Sequence, residues 1–374
     1  MKPKKQEQEE ARREVTEIAP NVLRMELPIL MPGLRHVNCY ALLDDEGAAV
    51  VDPGLPGPDT WAALKDRLSQ AGLSETDVHT VVITHSHPDH FGCAKRFAKA
   101  AGARIVAYES FGWGTPADAD THDHDEVSVD DRRAGADALE ADTDRRGDEP
   151  SSSPAASRVR AMRAGHTRPS PWGGSPLGFP KRDPSESNVA ELMMSEDFFP
   201  DITDPVGHLD VLRLAGRDWF VHFTPGHTQD HLCLHSPELG IFLSGDHVLP
   251  TITPHIGGFG HTPDPLRSFI ESLNAVAGLQ DVSTILPAHG HPFADLAGRT
   301  EAIKRHHEER LQRIKQIGRE LGRANVVEFS QTLFPERSWG MMAESETYAH
   351  LEHLRLAREA ESYSEDGKLI YVIR

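Results

Sequence analysis

The chain has 374 residues, 38% of them hydrophobic, and a formal net charge of −19 at pH 7. That length predicts two units rather than one core. No apolar run approaches the roughly 20 residues of a membrane span, and the charged first 19 residues lack the apolar stretch of a secretory signal. A cytoplasmic protein without a membrane partner is therefore expected. Asp118 to Glu149 alone holds 13 acidic residues against four arginines. A surface of that sign repels phosphodiester backbones and disfavours nucleic acid as a general partner. Cys39, Cys93 and Cys233 are scattered and odd in number, and read as free buried thiols.

In chain order, residues 1–19 read as a charged N-terminal tail. Val22 to Leu27, His36 to Leu43 and Ala48 to Val51 are apolar or alternating, and the last closes on Asp52-Pro53-Gly54, a strand followed by a turn. Thr60 to Gly72 carries Trp61, Leu64 and Leu68 at helical spacing with a glycine stop. Val78 to Thr84 is a buried-type strand, Phe91 to Ala101 a helix, and Arg104 to Tyr108 another strand. This alternation predicts an α/β layered fold. Residues 115–188 are rich in Asp, Ser, Pro, Gly and Arg and read as an acidic, disordered insertion. Trp172, Leu177 and Phe179 near its end are candidates to fold back as a lid or as surface packing. Strands resume at Leu209–Leu214, Trp219–Thr224, His231–His235 and Ile241–Ser244. A helix at Pro265–Ala277 and a strand at Thr284–Pro287 follow. One α/β unit thus runs over 20–298. A second, over 299–374, has helices at Arg299–Gly322, Val326–Phe334 and Glu346–Ser362, then a turn at Asp366-Gly367 and a strand at Lys368–Ile373. Three helices and a terminal β element have a winged-helix-like layout.

The chemistry begins after Thr84, where His85-Ser86-His87-Pro88-Asp89-His90 sits at a strand end. Neutral imidazoles and carboxylates suit zinc, and a strand-end loop can aim several of them into one cavity. His122, His124, His306 and His307 carry no comparable context and read as chance. Further strand-end loops carry Pro225-Gly226-His227-Thr228, Ser244-Gly245-Asp246-His247 and Pro287-Ala288-His289-Gly290. Together they offer about seven ligands.

This set, in this order and with Asp52, resembles the metallo-β-lactamase superfamily. The resemblance implies an αββα sandwich. It implies two metal ions, zinc being expected and iron or manganese accepted by the same ligands. Carried over residue by residue, His85, His87 and His227 would hold the first ion. Asp89, His90 and His289 would hold the second, and Asp246 would bridge them. Asp52 would orient the site through hydrogen bonds. In the branch that degrades antibiotics a Cys commonly replaces the bridging Asp, so Asp246 points to the glyoxalase II, ribonuclease and lactonase branches. A water between two such ions loses its proton near neutral pH, with Asp89 placed to steer it and accept a proton. Structural zinc sites are closed four-ligand cages, so seven ligands point to catalysis.

The expected substrate is a small, anionic thioester, ester or lactone. The alternative is an endoribonuclease or phosphodiesterase acting on single-stranded RNA, because the tail layout resembles the β-lactamase-like-protein-2 subgroup. Between Glu344 and Asp366, however, seven acidic residues face only Arg355 and Arg358. No basic recognition face is evident, and the second unit reads as a wall of the active site or a dimer contact. His255 and His261, in the loop after Asp246, read as surface-loop residues.

Overall fold

The structure, a computed structural model, describes residues 5–31, 33–112, 170–175, 198–258 and 262–374. Of the predicted insertion only 170–175 is among them. His122, His124, Leu177, Phe179 and His261 lie outside the described residues, as does most of the stretch proposed as a lid.

Two sheets stack face to face. The first has β1 (Thr16–Ala19), β2 (Val22–Met31), β3 (Leu34–Asp44), β4 (Gly47–Val51), β5 (Val78–Val82), β6 (Arg104–Tyr108) and β7 (Asp204–Val206), paired in that order. β1 to β4 pair antiparallel, and β4 to β7 parallel. The parallel half needs crossovers, supplied by α1 (Pro58–Gln70) between β4 and β5, and by α2 (Pro88–Phe91) and α3 (Ala94–Ala101) between β5 and β6. The second sheet runs β12 (Thr284–Pro287), β11 (Ile241–Gly245), β10 (Leu232–Ser236), β9 (Arg217–Phe223) and β8 (Val211–Leu214), with β11 and β12 parallel.

Period-two alternation builds the layers. Val37, Cys39, Ala41 and Val50 face α1 and α3, where Leu64, Leu68 and Phe97 cover them. Tyr40, Leu42, Ala49 and Val51 face the other way and meet Val221, Leu232, Leu234, Leu243 and Leu286 of the second sheet. Cys233, Phe242 and Ile285 point outward again, under α4 (Pro265–Ala277) with Leu266, Phe269 and Leu273. The layer order is helix, sheet, sheet, helix.

The remaining chain shares that last core. α5 (Leu296–Leu321), β13 (Arg323–Asn325), α6 (Val326–Leu333), α7 (Met341–Leu356), β14 (Ala360–Glu365) and β15 (Lys368–Ile373) form three helices and an antiparallel sheet ordered β13-β15-β14. Here the structure differs from the periodicity reading. The third helix stops at Leu356, Arg358 takes a φ of 62°, and residues from Ala360 pair with β15 as far as Ile373. The β14–β15 hairpin overrides the Leu351, Leu354, Ala357 stripe. The N-terminal segment also differs: β1 extends the first sheet, and Glu7 is fully buried. Trp172 does fold back, buried beside Tyr348 with its indole N–H on Glu344 Oε2 at 2.9 Å. Among the described residues no helix is long and apolar enough to cross a membrane.

Candidate metal centre

The parallel pairs β4/β5 and β11/β12 bring their C-terminal loops to one edge of the sandwich. Two backbone bonds join the sheets there, Leu232 N to Thr84 O at 2.8 Å and Asn38 N to Ala288 O at 2.7 Å. Tight turns then aim the side chains. At Gly226 (φ 136°) a Cβ would stand 2.6 Å from Phe269 N, so only glycine lets the His227 turn pack on α4. Gly245 (φ 50°) similarly lies under the His231 ring, where a Cβ would be 2.7 Å from Nε2.

All seven residues from the strand-end loops converge. Ligand atoms of His85, His87, His227 and Asp246 lie within 4.8 Å of one another, and those of Asp89, His90 and His289 form a second such group. In the first, His87 Nδ1 stands 3.0 Å from His85 Nε2 and 3.1 Å from His227 Nε2. Asp246 faces both groups. Its Oδ2 is 3.6 Å from His227 Nε2 and 3.6 Å from His90 Nε2, and its Oδ1 is 3.4 Å from His289 Nε2. Asp89 Oδ2 lies 3.6 Å from His90 Nε2 and 3.5 Å from His289 Nε2.

The opposite ring nitrogens are anchored. His227 Nδ1 donates to His255 O at 2.8 Å and His289 Nδ1 to His36 O at 2.7 Å. His90 Nδ1 donates to Asp52 Oδ2 at 2.9 Å. Thr84 Oγ1 donates to the same oxygen at 2.8 Å, leaving its own lone pair for His85 Nδ1 at 3.0 Å. Each of these bonds turns its ring so that Nε2 faces the cavity and, once the ring is neutral, keeps the proton on Nδ1. Asp52 thus reaches two of the histidines without entering the cavity, and Thr84 N donates to its other oxygen at 2.9 Å.

The residues fit metal ions on two counts. His90 Nε2, His289 Nε2 and Asp246 Oδ1 are buried with no hydrogen-bond partner, a costly state unless something binds them. Their separations of 3.4–3.6 Å also exceed those of a closed charge-assisted hydrogen bond, about 2.7–2.9 Å. They match the edge of a coordination tetrahedron with bonds of about 2.0–2.1 Å.

Electrostatics divides the two groups. Burial pushes His85 well below its ordinary value and His87 down to about 3, with neighbouring histidines adding to the effect. Burial lowers His227 as well. In the second group burial acts the same way but the carboxylates prevail. Asp89, Asp246 and Asp52 hold His90 well above its ordinary value, and Asp246 with Asp89 lifts His289 to about 10. Reciprocally, burial would raise Asp89 and Asp246, yet His90 and His289 bring Asp89 down to about 2 and Asp246 well below the carboxylate range.

Several supporting residues carried no signal in the sequence reading. Asp230 is buried, which raises its pKa, and accepts from Ser86 Oγ at 3.1 Å and from Gly112 N at 3.3 Å, pinning the 85–90 loop. His231 Nε2 accepts from Asp246 N at 3.1 Å. Arg24 donates to Gly290 O at 2.9 Å and Asn38 to Pro287 O at 2.8 Å, both under the His289 turn. His255, read as a loop residue, serves His227 through its carbonyl. His307, read as chance, is buried with Nδ1 3.1 Å from His350 Nε2, away from the two ligand groups.

Residues 32–145 and 155–289 match the family model described as the metallo-beta-lactamase superfamily. The lactamase-like protein nscB of Neosartorya fischeri is 40% identical over 113 residues, 30% of this chain and 32% of that protein. An N-acyl homoserine lactonase of Agrobacterium fabrum is 48% identical over 46 residues, 12% of this chain and 16% of that one. A hydroxyacylglutathione hydrolase of Hydrogenovibrio crunogenus is 30% identical over 109 residues, 29% and 38% respectively. The matches thus span well under half the length of these curated relatives. Among solved structures, a metallo-beta-lactamase family protein from Thermus thermophilus aligns with a TM-score of 0.69 and 26% identity, covering 96% of this chain and 100% of that one.

Proposed function

Since the chain belongs to the metallo-β-lactamase superfamily, we propose that it is a two-metal hydrolase of a small, anionic thioester, ester or lactone. The observation that carries this reading is the set of buried, unpartnered ligand atoms, His90 Nε2, His289 Nε2 and Asp246 Oδ1, facing one space. His85, His87 and His227 would hold one ion, Asp89, His90 and His289 the other, and Asp246 both. Zinc is the expected metal. Bound there, such ions lower the pKa of water and polarise a substrate oxygen.

The chain's own groups do the rest. Asp89, anionic at neutral pH, accepts the proton that the attacking water sheds. Asp52, Thr84, His36 O and His255 O keep His90, His85, His289 and His227 turned so that Nε2 faces the cavity. Two divalent ions outweigh the charges of Asp89 and Asp246, so the cavity favours a negatively charged substrate despite the acidic exterior. The names of the lactonase and the hydroxyacylglutathione hydrolase support the choice of substrate class.

The division into a catalytic unit over 20–298 and a winged-helix-like unit over 299–374 belongs to the same proposal. In that unit α7 would be the groove-reading helix, but Ala343, Ser345, Thr347, Ala349, Leu351 and Leu354 are buried. A helix so covered is not free to enter a nucleic-acid groove. We therefore read the unit as a wall of the site. The test is a side-by-side screen of acyl thioesters, lactones and a fluorescent RNA oligonucleotide with zinc or manganese added. Thioester or lactone turnover, lost in Asp246→Ala, is expected; turnover of RNA alone would reverse the assignment.

A further inference from the structure

Glu7 belongs to a segment outside the family match, on the 3-10 turn Gln6–Gln8, and is fully buried. Its Oε1 accepts from Thr251 N at 2.9 Å and Ile252 N at 3.1 Å, and its Oε2 from the Thr251 hydroxyl. Arg299 grips the same turn, donating to Leu249 O at 2.6 Å and to Ile252 O. The residues flanking Glu7 hold a second turn. Gln6 Oε1 accepts from His291 N at 3.1 Å, Glu9 Oε2 lies 2.9 Å from His291 Nε2, and Glu9 O accepts from His36 Nδ1 at 2.9 Å. His36 in turn accepts from Gly290 N at 3.1 Å through Nε2 and from His289 Nδ1 through its carbonyl. Arg12 N closes the segment onto Glu26 Oε2 at 2.8 Å.

Both turns belong to loops that carry candidate ligands. The first lies between Asp246 and His255, whose carbonyl orients His227; the second follows directly on His289. The turns also touch: a Cβ on Gly290 would meet Pro250 Cγ at 2.6 Å and Gln6 Cβ at 3.5 Å. Burying a carboxylate is expensive, and this one is met by three donors from a single turn, with the Arg299 guanidinium near enough to feel its charge.

We propose that residues 6–12 form a strap across the outside of the metal centre, and that Glu7 is a positioning residue for it. By holding the 251–252 turn while its neighbours hold 290–291, Glu7 sets the spacing between the loop of Asp246 and the loop of His289. This rests on the two-ion reading above. Groups hydrogen-bonded directly to the ligands typically contribute roughly 10–100-fold to metal affinity; Glu7 acts one step further out, through the 251–252 turn, and belongs at the lower end of that range.

The test uses the full chain, with zinc affinity measured against a competing chelator and ligand geometry read from the cobalt(II) absorption bands. Glu7→Ala is expected to keep its fold by circular dichroism, to weaken at least one ion by up to about 10-fold and to shift the cobalt bands. Glu7→Gln should restore most of the affinity, because its amide oxygen can accept both N–H groups and its Nε2 can donate to Thr251 Oγ1. Wild-type affinity and bands in a folded Glu7→Ala protein overturn the proposal, as does a lower melting temperature with unchanged affinity. If Glu7→Ala does not fold, Gln6→Ala decides, since it removes only the acceptor for His291 N; a weaker ion supports the strap and an unchanged one overturns it. A wild type holding one ion contradicts the two-ion reading, and the variants then judge the strap on that ion. A wild type holding none overturns both.

Discussion

Replacing Asp52 by Ala tests how far the ligands depend on what stands behind them. Three donors turn to this buried carboxylate: Thr84 N at 2.9 Å, Thr84 Oγ1 at 2.8 Å and His90 Nδ1 at 2.9 Å. A buried donor left without a partner costs about 1–3 kcal/mol, and the Thr84 hydroxyl can rotate to another acceptor. Two orphaned N–H groups then predict a loss of about 2–6 kcal/mol in folding stability. His90 and, through Thr84, His85 also lose their orientation. That predicts a 10–100-fold drop in metal affinity, or about 1.4–2.7 kcal/mol. Urea unfolding of the ion-free protein measures the first quantity and chelator competition on the folded protein the second. Asp52→Asn keeps the shape but turns an amide N–H toward one of the donors, and should fall between Ala and wild type. Lost stability with metal affinity within twofold of wild type would make Asp52 a turn brace alone, with no hold on the ligands.

Metal binding should release protons. Without ions, His289 is held at about 10 and His90 well above the ordinary 6.5, so both are protonated at pH 7 and must give up a proton to coordinate. Calorimetry in two buffers of different ionisation enthalpy should show about two protons released and an affinity that rises with pH; release near zero would contradict the second ligand group. In the ion-free protein a raised histidine stabilises fully below its unfolded value. The His289 contribution should therefore fade as pH rises from 6.5 toward 10, and urea midpoints across that range measure it. Asp89, depressed to about 2, contributes above its ordinary 3.8 and should lose that contribution as pH falls below it. Glu344→Ala removes the acceptor for Trp172 Nε1, Ser175 N and Ser175 Oγ. It should cost about 2 kcal/mol and speed proteolysis near 170–175; unchanged cleavage would show that Glu344 does not hold that segment.

The residues of the candidate site were legible because a strand-end loop concentrates ligand types within few positions: His85 to His90 lie in one run, and each partner loop follows a strand. The strands themselves were legible from alternation, as in Val37 to Leu42. Of what orients the ligands only Asp52 was legible, since the acceptors for His227 and His289 are the carbonyls of His255 and His36, and any residue type supplies a carbonyl. Asp230 acts on Ser86 from 144 positions away. Glu7 sits in a run of Gln, Glu and Arg whose composition reads as a solvated tail, and its burial depends on two loops far along the chain. The end of α7 was missed for a local reason. Its apolar stripe continues past Leu356, and only pairing of β14 with β15 decides otherwise.

Metal analysis of the full chain, beside that of His289→Ala, decides between two ions per chain and one. Close to two ions are expected in the wild type, and the loss of one in the variant. One tightly bound ion, retained in full by His289→Ala, would contradict the two-ion reading.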